Sequence, residues 1–284
     1  MNKGLKYAVA LSCGLLAVSA NAAPVEKAHK PFMDADHVIY MPMRGGVVPK
    51  AGALLVNHGG PVLTSAKVVF IFWGPSFSNA ASPDFAYAQE VQAFRNQFGT
   101  TPEFNVITQY SGILQSVLSA GTADLFDSST PPTNVTDAIV QSKVASYLST
   151  HAYNSSTIYE VVIPSTSYSS SGTSTSCGGP SLAYCAYHGH FTNGGSDVKY
   201  SIEPYPSCGG CQVSGWTAAQ NQEHFVCHET REAVTDPDLN AWFDRSGNEA
   251  DDKCAWSPTP FVGTGGYSYQ YEWSNTAKAC VKTQ

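Results

Sequence analysis

The chain has 284 residues, with 15 Lys and Arg against 22 Asp and Glu, a formal net charge of −7, and 12% aromatic residues. An acidic balance with no basic cluster argues against nucleic acid and against an anionic membrane surface as partner. No stretch approaches the about 20 apolar residues of a membrane span, and a length of this order suits one domain of mixed secondary structure.

Residues 1–22 read as a secretory signal peptide. Lys3 and Lys6 supply the positive start, residues 7–19 the apolar run, and Ala20-Asn21-Ala22 the small-residue cleavage site. The exported chain then carries 13 basic residues against 22 acidic ones, or −9. Residues 23–56 are weakly patterned and read as a leader or propeptide, in which 38–43 predicts a short strand; 57–284 follow as one domain. Residues 66–73, AKVVFIFW closed by Gly74-Pro75, predict a strand covered on both faces. Ser82 as N-cap, Pro83 in the first turn, an apolar side of Phe85, Ala88, Val91, Phe94 and Phe98, and Gly99 beyond predict a helix. Residues 104–110 predict a strand. A second helix follows over 135–151, with Ile139, Val140, Val144, Tyr147 and Leu148 inward, and a second buried strand over 157–163. Residues 165–176 form a Ser/Thr/Gly loop of a length that suits a lid. Residues 197–205 predict a further strand. Residues 216–234 predict a helix entered through Thr217 and stopped by Pro237. This alternation predicts an α/β (mixed α+β) single domain, a central mixed sheet with flanking helices, stabilised by disulfides.

The last helix carries the chemistry. His224, His228, Glu232 and Asp236 recur at i, i+4 and form one polar ridge. Within it His228-Glu229-x-x-Glu232 has the zincin-like spacing of His-Glu-x-x-His, with glutamate as the second ligand. In that arrangement His228 and Glu232 hold zinc and Glu229 is the general base. The third ligand comes from Asp236, His188, His224 or Glu249. His190, two residues from His188 in Cys185-Ala-Tyr-His-Gly-His, ranks below His228. The competing expectation is plain: a polar helix face is the usual pattern of a solvated face. Beyond Pro237, Asp244, Asn248 and Asp252 lie in an acidic loop around Gly247. This suits calcium, although it does not match the EF-hand pattern and equally fits a solvated loop. No G-x-S-x-G elbow occurs, so serine catalysis is set aside.

The sequence holds 8 cysteines, and Cys13 leaves with the signal peptide. The expected bridges are Cys177–Cys185, Cys208–Cys211 and Cys254–Cys280, with Cys227 left over; spacing alone leaves other connectivities open.

Five segments, taken in order, resemble the EXORDIUM or phosphate-induced protein 1 family. They are Asn57-His-Gly-Gly-Pro-Val62 with the strand ending Phe72-Trp-Gly74; Cys185-Ala-Tyr-His188, similar to its C-G-x-H; Ser207-Cys-Gly-Gly-Cys-Gln212, similar to its Q-C-P-G-Q-C; residues 228–237, HETREAVTDP, similar to its H-E-L-A-G-T-V-T-N-P; and Tyr269-Gln-Tyr-Glu-Trp273 through Cys280. The family helix keeps the His-Glu pair but has Gly at the place of Glu232 and Asn at that of Asp236. The resemblance implies secretion and a related fold, and it supports the cysteine pairing because Cys227 has no counterpart. Plant members are extracellular, wall-associated and linked to growth, with no established reaction. Two functional expectations follow. The first is a secreted zinc-dependent hydrolase, above all a metallopeptidase acting on peptide or protein. The second is a non-catalytic extracellular binding or signalling protein that meets a glycan or protein through its aromatic surface and carries structural calcium.

Overall fold

The structure, a computed structural model, describes Met1, residues 38–46 and residues 52–284. The expected signal peptide lies outside the described residues except for Met1, as do 23–37 and 47–51 of the expected leader.

Six strands form the central sheet: β1 (Val38–Pro42), β2 (Lys67–Trp73), β3 (Leu125–Asp127), β4 (Thr157–Ile163), β5 (Tyr184–Asn193) and β6 (Ser196–Pro204). Their order is β1-β5-β6-β4-β2-β3. The β1/β5 and β5/β6 pairs are antiparallel, and β6/β4, β4/β2 and β2/β3 are parallel, so the sheet is mixed as expected. Residues 38–42, inside the segment read as leader, are thus an edge strand of the main sheet.

Three long helices cover it: α1 (Pro83–Phe98), α2 (Asp137–Leu148) and α3 (Ala218–Thr235). The unbroken apolar runs of β2 and β4 follow from coverage on both faces. Val68, Phe70 and Phe72 pack into a core with α1 and α3, while Val69, Ile71 and Trp73 pack into a second core with α2. Ser82 caps α1 by accepting from the Asp84 amide at 3.2 Å. Thr217 opens α3 with a capping box: its hydroxyl accepts from the Gln220 amide at 3.1 Å, and Gln220 accepts from the Thr217 amide at 3.0 Å.

Two expectations are corrected. Residues 104–110 are not a strand but a helical turn at Pro102–Asn105 followed by a 3-10 turn at Val106–Gln109. Thr101 caps the turn through the Phe104 amide, and Pro102 supplies a first-turn φ, so this helix-start chemistry outweighs the β-propensity of the apolar residues. The bridges are Cys177–Cys208, Cys185–Cys211 and Cys254–Cys280, and the free Cys227 is buried. Only the third has the expected partners. Cys208 and Cys211 lie at either end of a 3-10 turn, and each meets a different neighbour instead of the other: Cys211 meets β5 and Cys208 meets the 165–183 segment. That segment is not wholly irregular, because Tyr168–Ser171 and Ser174–Thr175 pair as short strands.

Candidate metal centre

Every side chain from Asn221 to Thr235 on α3 is buried, so the polar ridge faces the interior. Ionised groups taken out of water cost several kcal/mol each unless paired or neutralised. The sheet supplies the opposing wall. Cross-strand register places His188 on β5, Ser201 on β6, Glu160 on β4 and Phe70 on β2 in one row. The third wall is the loop after α3, where the Glu232 carboxylate accepts from the Asp252 amide at 2.9 Å.

Six buried side chains converge: His188, His228, Glu229, Glu232, Glu249 and Asp252. His228 Nε2 lies 3.2 Å from Glu232 Oε2 and 4.0 Å from Asp252 Oδ1. His188 Nδ1 lies 3.0 Å from Glu229 Oε2 and 3.7 Å from Glu232 Oε2, and its Nε2 lies 3.6 Å from Glu249 Oε2. The donors sort into two groups, each with its ligand atoms within 4.8 Å of one another. One is His228, Glu232 and Asp252; the other is His188, Glu229 and Glu232.

Gln270 sets the His228 tautomer. Its amide nitrogen donates to the Asp251 carbonyl at 2.7 Å and to Asp251 Oδ1 at 3.0 Å, which leaves Oε1 to accept from His228 Nδ1 at 3.1 Å and His224 Nε2 at 3.0 Å. With a proton held on Nδ1, Nε2 of His228 is the nitrogen that faces Glu232. An outer hydrogen bond of this kind is what orients a metal-binding imidazole. Burial by itself would lower the His228 pKa; Glu232 beside it outweighs that and pushes it up to about 9. Burial pushes the Glu229 carboxyl well up, and Glu232 adds to this.

His228 Nε2, Glu229 Oε1 and Glu232 Oε2 are buried without a hydrogen bond. Two acceptors facing each other at 3.2 Å repel unless a cation or a proton lies between them. Imidazole and carboxylate are both donors to zinc, so the residues present fit a divalent cation.

The other ridge residues have different work. His224 packs edge-on against Trp256 at 4.8 Å, and burial lowers its pKa to about 3, which makes it a neutral imidazole that shares Gln270. Asp236 is the C-cap of α3: its amide donates to the Glu232 carbonyl at 2.7 Å, and its carboxylate accepts from the Ala241 amide at 2.5 Å. Neither joins the two donor groups. The acidic loop also divides. Asp244 accepts from Lys253 Nζ at 2.9 Å, from the Ser246 amide at 2.8 Å and from Asn248, so a lysine stands where calcium was expected. Asp252, grouped with Asp244 and Asn248 in the sequence, turns to His228 instead. His190 pairs with Asp197 at 2.8 Å and belongs to a separate group with Asp197 and Asp238.

Sequence reasoning missed Gln270, which lies 42 residues from His228 with no local signal. It also missed the buried carboxyls Glu160 and Glu203 behind Glu229. Burial raises the Glu160 pKa to about 8. Their alternation with apolar residues on strands reads as ordinary in-out patterning, although Glu in a run as apolar as 157–163 was a usable signal.

The chain matches no family model, no curated protein and no solved structure.

Proposed function

We propose that this chain is an exported zinc-dependent hydrolase of the peptidase class. The observation that carries the reading is the buried cluster of His228, Glu232 and Asp252, in which His228 Nε2 and Glu232 Oε2 make no hydrogen bond and Glu229 lies beside them. His228, Glu232 and Asp252 would hold the zinc, which supplies Lewis-acid polarisation of a substrate carbonyl. Glu229, which follows His228 in the chain and lies 3.0 Å from His188 Nδ1, would accept the proton as general base. Gln270 holds His228 in the tautomer that presents Nε2. Export rests on the signal-peptide pattern, and the three disulfides suit an oxidising compartment. No helix among the described residues is long and apolar enough to cross a membrane.

Glu229→Gln is expected to abolish turnover of a peptide library while the protein keeps the zinc held by His228, Glu232 and Asp252, measured by elemental mass spectrometry. Full turnover by that variant would remove Glu229 as the base.

Closure of the site favours a second reading. None of the six side chains is exposed, so a substrate reaches Glu229 only if a covering segment moves. A non-catalytic extracellular binding protein, in line with the resemblance to the EXORDIUM family, would use the same centre as a structural metal site, for zinc or calcium. Chelator-sensitive cleavage of casein sinks this reading. Failure to cleave by protein that carries stoichiometric zinc sinks the first.

A further inference from the structure

Ligands of one zinc ion sit about 2.0–2.2 Å from it, so two of them cannot be farther apart than about 4.4 Å. The donors described above fall into two groups, each with its ligand atoms within 4.8 Å of one another, one around each imidazole, and only Glu232 is common to both. Its Oε1 is occupied by the Asp252 amide at 2.9 Å. Its Oε2 faces His228 Nε2 at 3.2 Å on one side and His188 Nδ1 at 3.7 Å on the other, with no hydrogen bond. A single oxygen between two imidazoles from different walls has the placement of a bridging ligand.

Charge points the same way. Glu229, Glu232, Glu249 and Asp252 bring four carboxyl groups to one closed space. No lysine or arginine among the described residues pairs with Glu229 or Glu232. One divalent cation offsets two carboxylates and leaves the His188 side with Glu229 Oε1 buried and unpartnered. A second cation on that side would meet this oxygen, and an uncompensated charge in a core is strongly destabilising.

We propose that the centre is dinuclear: a second divalent cation sits in the group formed by His188, Glu229 and Glu232, and shares Glu232 with the first. Glu249, 3.6 Å from the other nitrogen of His188, orients that imidazole from the far side. Glu229 meets the second ion with one oxygen and keeps the other as proton acceptor. The proposal rests on the zinc reading above and extends it from one ion to two.

The test is metal stoichiometry in the full exported chain, with zinc as the probe, followed by cobalt substitution. Two zinc ions per chain are expected. His188→Ala and His228→Ala should each retain one, and Glu232→Gln should weaken both. One zinc per chain, unchanged in His188→Ala, overturns the second ion and leaves the mononuclear reading standing. No zinc in any preparation overturns both. Should His188→Ala fail to fold, the cobalt-loaded parent decides. Two cobalt ions that share a carboxylate give a magnetically coupled spectrum in electron paramagnetic resonance, whereas an isolated-cobalt spectrum at saturation refutes the pair.

Discussion

At the scale of single residues, His228 and Gln270 carry the most specific expectation. His228 can present Nε2 only while Nδ1 keeps its proton, and Gln270 Oε1 accepts that hydrogen bond at 3.1 Å. Gln270→Ala should lower metal affinity by about 10–100-fold, as loss of an outer-shell partner commonly does; competition with a chromophoric chelator reads it. Unchanged affinity would mean that Gln270 merely fills space. Glu160 makes a different prediction, about stability and pH. Burial raises its pKa from 4.5 to about 8, against a smaller lowering by the Thr230 hydroxyl. The folded chain therefore binds a proton that the unfolded chain releases between those values. Stability from this group is complete below about pH 4.5 and is lost as pH rises through about 8, at a slope of up to about 1.4 kcal/mol per pH unit. In metal-free protein, Glu160→Gln should be less sensitive than the parent to a rise from pH 5 to pH 8, measured as the urea midpoint. An equal pH dependence in both would show that Glu160 stays ionised in the fold.

At the scale of elements, α3 was legible because its start carries chemistry. Thr217 and Gln220 form both capping-box hydrogen bonds, and Pro237 follows the end. Thr217→Ala removes the hydroxyl bond and should cost about 1 kcal/mol of stability, seen as a lower thermal midpoint. No change would place α3's register wholly in its packing. The same logic explains a failure. At residues 104–110 the apolar residues predicted a strand, yet Thr101 and Pro102 start a helical turn there. Local capping decided the element, and the apolar side chains Phe104, Val106 and Ile107 were buried all the same. The ridge on α3 shows the limit of periodicity. Spacing at i, i+4 puts four groups on one face, but it does not say whether water or a sheet covers that face. Here α3 is buried all round, so its two ends do different jobs: His224 joins an aromatic contact, Asp236 a cap, and only the central turn meets the other donors.

At the scale of the whole molecule, the centre is a meeting of three walls, α3, β5 and the loop after α3. Cys254 lies two residues beyond Asp252 and is tied to Cys280. Replacing both cysteines by alanine frees a loop of 26 residues and should remove about 3 kcal/mol of stability. It should also weaken metal binding, because Asp252 loses its tether. A variant with lower stability but unaltered affinity would show that the Glu232 contact alone holds the loop. Much of the architecture was determined by the sequence itself: the buried runs of β2 and β4, the caps of α1 and α3, the mixed sheet, and the pairing of His228 with Glu232 at one helical step. These follow from local geometry, in which side-chain spacing and backbone capping act within a few residues. Tertiary structure alone decided the rest. It paired Cys185 with Cys211 and Cys177 with Cys208, moved Asp252 from a loop cluster to His228, and brought His188 in from a strand 40 residues upstream, 41 from Glu229. Contacts of that kind are set by which faces the sheet and helix bury together, and no local pattern records that choice.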